Sequence, residues 1–154
     1  MDSNIIIEKL KIGEINQFSN LIIHVFDEFV GKDYSTHGNN TFKDFIKPEN
    51  VLDRFNGLNI FVAKYNNEII GVLEIKNNVH ISLFFVRKDF HKQGVGKTLF
   101  EKYLDTIKNN YDIKIVTVNS SIYAEKIYEK LGFIKMNEIQ EKNGIKYIPM
   151  EYKI

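Results

Sequence analysis

Three apolar runs follow one another, Asn59 to Tyr65, Glu68 to Ile75 and Val79 to Val86, separated only by Asn66-Asn67 and Asn77-Asn78. Asparagine tolerates the left-handed backbone of a two-residue hairpin turn, so this spacing predicts an antiparallel three-strand meander. If Asn77-Asn78 is such a turn, Lys76 pairs with Val79, Ile75 with His80, and Glu74 with Ile81. Cross-strand partners share a face and neighbours alternate, which sends Glu74 and His80 to opposite sides. Ile70, Val72, Ile81, Leu83 and Phe85 then line one face; Ile69, Leu73, Ile75, Phe84 and Val86 line the other. A sheet that is apolar on both faces needs helices over both.

The rest of the chain supplies them. A first strand is expected over Ile5 to Ile12. Ile15, Phe18, Ile22, Val25, Phe26 and Phe29 then recur at helical spacing between Glu14 and Val30, and Gly31 ends that helix. Residues 32–40 read as polar loop, and Thr41 caps a second helical stretch that Pro48 interrupts before it resumes towards Phe55. Beyond the meander, Leu99, Phe100, Tyr103, Leu104 and Ile107 form another stripe. Ile113 to Val118 is a β-branched strand, expected parallel to its predecessor because a helix connects them. Ser120 or Ser121 can cap a helix carrying Ala124, Ile127, Tyr128 and Leu131, which Gly132 ends. Strands Ile134 to Gln140 and Ile145 to Tyr152 meet at Asn143-Gly144, and Pro149 argues for an edge or a bulge. The expected architecture is a single α/β domain over residues 1–154. Its mixed, mainly antiparallel sheet has six or seven strands, with helices on both faces.

Charge and composition narrow the function classes. A net charge of +1 leaves no global basic field for nucleic acid or an anionic membrane. The absence of cysteine excludes disulfides, thiolate metal ligands and a cysteine nucleophile, and no His/Asp/Glu set has the spacing of a metal site. Met1-Asp2-Ser3-Asn4 has no basic leader character, and no apolar run reaches the roughly 18–20 residues that span a bilayer. A cytoplasmic monomer or homodimer is expected, with no metal and with neither nucleic acid nor membrane as partner.

The chemistry lies where the third meander strand gives way to a helix. There Arg87, Lys88, Lys92 and Lys97 surround Gly94 and Gly96. Free amides at a helix N-terminus, with the helix dipole behind them, favour a phosphate or diphosphate. Gly94 to Thr98 matches the tail of a nucleotide-binding P-loop. That motif also needs glycine at position 91 and a later strand ending in aspartate, where this chain has His91 and Asn119.

A second pattern fits better. His91-Lys92-Gln93-Gly94-Val95-Gly96 resembles the coenzyme A loop of the GCN5-related N-acetyltransferases (GNAT), Gln/Arg-x-x-Gly-x-Gly/Ala, and departs from it only at His91. Val118-Asn119-Ser120-Ser121-Ile122-Tyr123-Ala124 and Ile127-Tyr128-Glu129-Lys130-Leu131-Gly132-Phe133 resemble the family's second signature, in the same order and on the matching elements. The resemblance covers essentially the whole chain. It implies a GNAT-like fold and direct transfer of an acetyl group from acetyl-CoA to the primary amine of a small molecule.

The same resemblance assigns residues. Gln93, Gly94, Val95, Gly96, Lys97 and Thr98 would cradle the diphosphate, with His91 and Lys92 beside them. Leu83, Phe84, Phe85 and Val86 would lie along the pantetheine arm in a gap between splayed strands, a main-chain N–H polarising the thioester carbonyl. Asn119 and Ser121 would face the arm from the other side, although a capping or turn role is as open to Asn119. Tyr128 matches the tyrosine that protonates the departing thiolate, a reasonable task for a phenol of pKa about 10 beside a thiol of about 8.5. A core role on its helical stripe competes. His80 stands where several family members carry a glutamate base and titrates near neutrality; Glu74 or a water relay are the alternatives. By family analogy Phe26, Phe29, Tyr34, His37, Phe42 and Tyr147 contact the acceptor, with Glu74 a further candidate beside it; plain core or lid packing is the alternative for the aromatics. Two other readings share this fold: a non-catalytic acyl-CoA-binding or sensor domain, and an enzyme acetylating peptide N-termini or lysines.

Overall fold

The computed structural model describes residues 4–154; Met1, Asp2 and Ser3, which the single-domain and leader readings include, lie outside the described residues. The chain runs β1 (Ile5–Lys9), α1 (Ile15–Phe29), α2 (Thr36–Phe45), α3 (Pro48–Arg54), β2 (Leu58–Tyr65), β3 (Glu68–Lys76), β4 (His80–Val86), α4 (Val95–Ile107), β5 (Ile115–Ser120), α5 (Glu125–Leu131), β6 (Ile134–Lys135), β7 (Gln140–Lys142) and β8 (Ile145–Lys153). Among the described residues the strands lie in the order β1-β2-β3-β4-β5-β8-β6, with β7 beside β8. Only β4 and β5 are parallel. The sheet is thus mixed and mainly antiparallel, as expected, but has eight strands. The extra one arises because residues 134–142 form two short strands parted by a loop. Pro149 sits opposite that loop, in the part of β8 that pairs with β5 over Ile148 to Lys153, so its other side is a local edge and no bulge interrupts the β5 pairing. Its carbonyl accepts from Met136 N–H at 2.9 Å, and no neighbouring strand there requires the donor that proline lacks.

The Asn pairs turn the meander as the sequence predicts, all four in left-handed backbone with φ between 51° and 65°. The register of the second hairpin does not follow, first because its turn takes in Val79 as well as the two asparagines. Lys76 pairs with His80, Ile75 with Ile81 and Glu74 with Leu83, leaving Ser82 as an extra residue in β4. Ile70 is likewise passed over between the Ala63–Gly71 and Lys64–Ile69 pairs. Each bulge reverses the alternation beyond it. Ile70 and Ile81 therefore join Leu73 and Ile75 in the core under α4 and α5. Ile69, Val72 and Leu83 join the core under α1 and α3. By the same alternation Glu74 and His80 share a face, which corrects the expectation that they oppose each other.

Both faces are covered by helices. Phe18 and Ile22 of α1 are fully buried, each contributing roughly 1.5–3 kcal/mol. α2 begins five residues before the expected cap. Ser35, not Thr41, caps it, its hydroxyl accepting from Gly38 N–H at 3.0 Å, while Thr41 donates back to the His37 carbonyl inside the helix. Pro48 opens α3 at its first turn. The β7–β8 hairpin tip reaches this region too, Gly144 accepting from Ser35 N–H at 3.0 Å. On the opposite face α4 rests directly on β3. A Cβ on Gly71 would meet Leu99 and Val95 at 3.1 and 3.2 Å.

Candidate active site

β4 and β5 are paired only at His80–Thr117 and Ile81–Val118. Beyond Ile81 they part, while β4 stays paired with β3 as far as Val86. The Ser82 bulge lies where they diverge. The gap opens a cavity of about 540 Å³ floored by Ile81 to Val86. Val25, Val30, Tyr34 and Phe42 wall it from the α1–α2 side, and Asn119, Tyr123, Ile127 and Tyr128 from the β5–α5 side. Phe29 of α1 stacks on Tyr123 at 4.8 Å, joining the two sides above the gap.

One end of the cavity is backbone. Gly94 starts α4 with φ +80°, a conformation that glycine adopts without strain. No acceptor in the described residues meets the amides of Val95, Gly96 and Lys97, whereas Thr98 N–H already turns back to the Gly94 carbonyl at 3.0 Å. A Cβ on Gly96 would approach Phe84 no closer than 3.6 Å, so the protein itself has room for one. His91, the one departure from the loop pattern, donates through Nε2 to the Val86 carbonyl at 2.6 Å and ties the loop to the end of β4. The basic cluster is smaller than its sequence. Arg87 is paired with Glu68 and Asp89, and Lys88 with Glu28. Lys92, Lys97 and Lys130 are the cations that line the cavity. Gln93 and Thr98 do not line it; the Gln93 amide donates to the Asp89 carbonyl.

Tyr128 lies at the seam between the two walls. It is 6% exposed, edge-on to Phe84 and Phe133 with centroids 6.0 and 5.3 Å away. Its hydroxyl has no hydrogen-bond partner among the described residues and is not sealed in the core, so it opens into the cavity. Burial pushes its pKa far up, and Tyr34 across the gap adds to the shift. Burial pushes Tyr34 itself up to about 12, with Asp33 contributing. Ser121 lines the cavity, but its hydroxyl accepts from Ala124 N–H at 3.2 Å as a turn cap.

The two base candidates stand elsewhere. His80 does not line the cavity; its Nδ1 is 2.7 Å from the Thr117 hydroxyl. Burial lowers its pKa, and Lys76 adds to the effect. Glu74 is buried beneath α3, where Arg54 approaches its carboxylate at 3.2 and 3.4 Å. Burial raises its pKa against the pull of that guanidinium. Tyr147 and Phe29 also fall outside the lining, Phe29 forming the roof contact instead. Sequence reasoning missed Ser82, Val25, Val30 and Lys130 as lining residues. Only Tyr123 and Ile127 carried a signal, as apolar positions exposed on the second signature. No group of three or more His, Asp or Glu among the described residues is placed to hold a metal, and no described helix is long and apolar enough to cross a membrane.

The comparisons with known proteins agree with this geometry. The model of the acetyltransferase (GNAT) domain matches residues 30–154. N-alpha-acetyltransferase 30 of Dictyostelium discoideum is 30% identical over 91 residues, covering 51% of this chain and 48% of that protein. The chain spans less than two thirds of the length of the curated relatives it matches. A GCN5-related N-acetyltransferase from Rhodopseudomonas palustris superposes with a TM-score of 0.84 at 18% identity, covering 100% of this chain and 98% of that one. The PaiA N-acetyltransferase of Thermoplasma acidophilum, solved with coenzyme A, gives 0.79 at 19% identity and covers 100% of both chains. These two likenesses are of the fold.

Proposed function

The chain belongs to the GNAT acetyltransferase family, and we propose that it is a single-domain N-acetyltransferase. In this reading it moves an acetyl group from acetyl-CoA to the primary amine of a small molecule, directly, in a ternary complex. The observation that carries the reading is the set of unanswered amides at Val95, Gly96 and Lys97, at the mouth of the gap between β4 and β5. Those amides, with Lys92 and Lys97, hold the diphosphate. The pantetheine arm lies along the edge of β4 that β5 has left, and a main-chain N–H there polarises the thioester carbonyl.

The amine nitrogen attacks the carbonyl carbon, the C–S bond breaks, and Tyr128 gives its proton to the sulfur. A phenol raised by burial stays protonated at neutral pH. The apolar gap that raises it also raises the thiolate leaving into it, so the two remain matched. Titration calorimetry tests the reading: coenzyme A is taken up and ATP is not. No heat with coenzyme A, or ATP in the same cradle, overturns it. Likeness to N-alpha-acetyltransferase 30 favours a second reading, a peptide N-terminus as acceptor; peptides outrunning free amines would select it.

A further inference from the structure

The acceptor side of the cavity is distinctive for what lines it. Val25, Val30, Tyr34, Phe42, Leu83 and Phe85 are all apolar or aromatic, and among the described residues no carboxylate lines the cavity. The lining cations, Lys92, Lys97 and Lys130, come from the loop, α4 and α5, on the coenzyme side. Glu74 is held by Arg54 and His80 by Thr117, both away from the lining. Resting on the acetyltransferase reading above, we propose that the acceptor is an aromatic amine that is uncharged at neutral pH, its ring packed against the sides of Tyr34, Phe42 and Phe85 that line the cavity.

Two arguments converge. An alkyl amine of pKa about 10.4 is neutral in roughly one molecule in 2,500 at pH 7, and its ammonium form would enter this gap unpaired. An aniline-type nitrogen is already a free base, needs neither counter-charge nor a dedicated base, and keeps its lone pair for attack. The rings are set to receive it. Phe42 is stacked flat on Phe26 at 4.1 Å, Tyr34 stands edge-on to Phe26 at 5.3 Å, and Phe85 tilts against Phe42 at 6.0 Å. These contacts fix Tyr34, Phe42 and Phe85 as one aromatic surface along the cavity, against which another ring packs. In the transfer a C–N bond forms as the C–S bond breaks. Tyr128 protonates the sulfur and recovers a proton from the new amide nitrogen, so one proton moves from nitrogen to sulfur overall.

The test is an amine panel with saturating acetyl-CoA at pH 7: aniline, 4-methylaniline, phenethylamine, putrescine, spermidine and a peptide with a free N-terminus. The anilines should exceed putrescine and spermidine by about 100-fold or more in kcat/KM, given the scarcity of neutral alkyl amine. Their rate should stay flat between pH 6 and 9. Phe42→Leu should raise KM for the anilines about tenfold while the calorimetric Kd for acetyl-CoA, which also reports folding, is unchanged. Faster turnover of a polyamine, of phenethylamine or of the peptide overturns the proposal and leaves the acetyltransferase reading standing. An unchanged KM in the Phe42 variant does the same, whereas acetyl-CoA uptake with no amine acetylated overturns the proposal and selects the non-catalytic acyl-CoA-binding reading. Absence of coenzyme uptake removes both readings together.

Discussion

The two ends of the cavity are made of different material. At the end proposed for the coenzyme the groups that matter are main-chain amides of consecutive residues, aimed by one left-handed glycine and tied down by His91 to β4. At the end proposed for the acceptor they are side chains gathered from α1, the loop before α2, α2 itself and β4, and the hairpin tip at Gly144 steadies α2 from below. The first kind of site depends on local backbone geometry. The second depends on register and docking, and so on residues far apart in the chain.

That contrast can be broken or sharpened experimentally. Tyr128 lies at the seam, and Tyr128→Phe should lower kcat about 100-fold or more while calorimetry finds acetyl-CoA affinity unaltered. An unchanged kcat would remove the proton donor from the account. Gly38→Ala strikes the acceptor end alone, because the new Cβ would sit 2.2 Å from the Gly144 carbonyl oxygen. Thermal unfolding should show a loss of roughly 2–3 kcal/mol, with a raised acceptor KM and an intact coenzyme Kd. If coenzyme affinity fell in parallel, the two ends would not be separable. Gly96→Ala is the converse. The protein has room for the methyl group, so melting should be unaffected or improved while coenzyme affinity drops about tenfold.

The smallest effect belongs to His80. Its folded-state pKa lies below the ordinary value, so the unfolded chain binds the proton more readily. Stability from the neutral ring is complete above about pH 6.5 and declines as pH falls below it, towards the folded pKa. His80→Asn should flatten that decline in melting curves taken from pH 7 to 5 and leave the pH profile of the rate alone. Loss of a neutral-pH limb in that profile would put the base on His80 after all.

This division also explains what could be read from the residues. Asn66-Asn67, Asn143-Gly144 and Gly94 announce their own backbone conformations, and they placed two tight turns and the start of α4 correctly; Asn77-Asn78 marked a turn but not its length, which takes in Val79. Tyr128 was found from a motif and does open into the cavity. The bulges at Ile70 and Ser82 left no mark, because an isoleucine or serine in a strand looks the same whether or not its partner strand has skipped it. The face assignments of Ile69 and Ile70 failed for that reason, whereas Ile81 and the opposition of Glu74 and His80 failed because the second turn takes in Val79 as well. Ser35 and Thr41 are equally good caps on paper. The choice is settled by the docking of Gly144 on Ser35 and Gly38, a contact across more than a hundred positions.

That contact also orders events during synthesis. β8 inserts between β5 and β6, and the turn that opens it is what α2 leans on. A ribosome delivers β1 to β4 and α4 well ahead of residues 143–153, and segments made first can gather first. A nascent chain therefore forms the proposed phosphate cradle while the proposed acceptor seat is still waiting for its last brace.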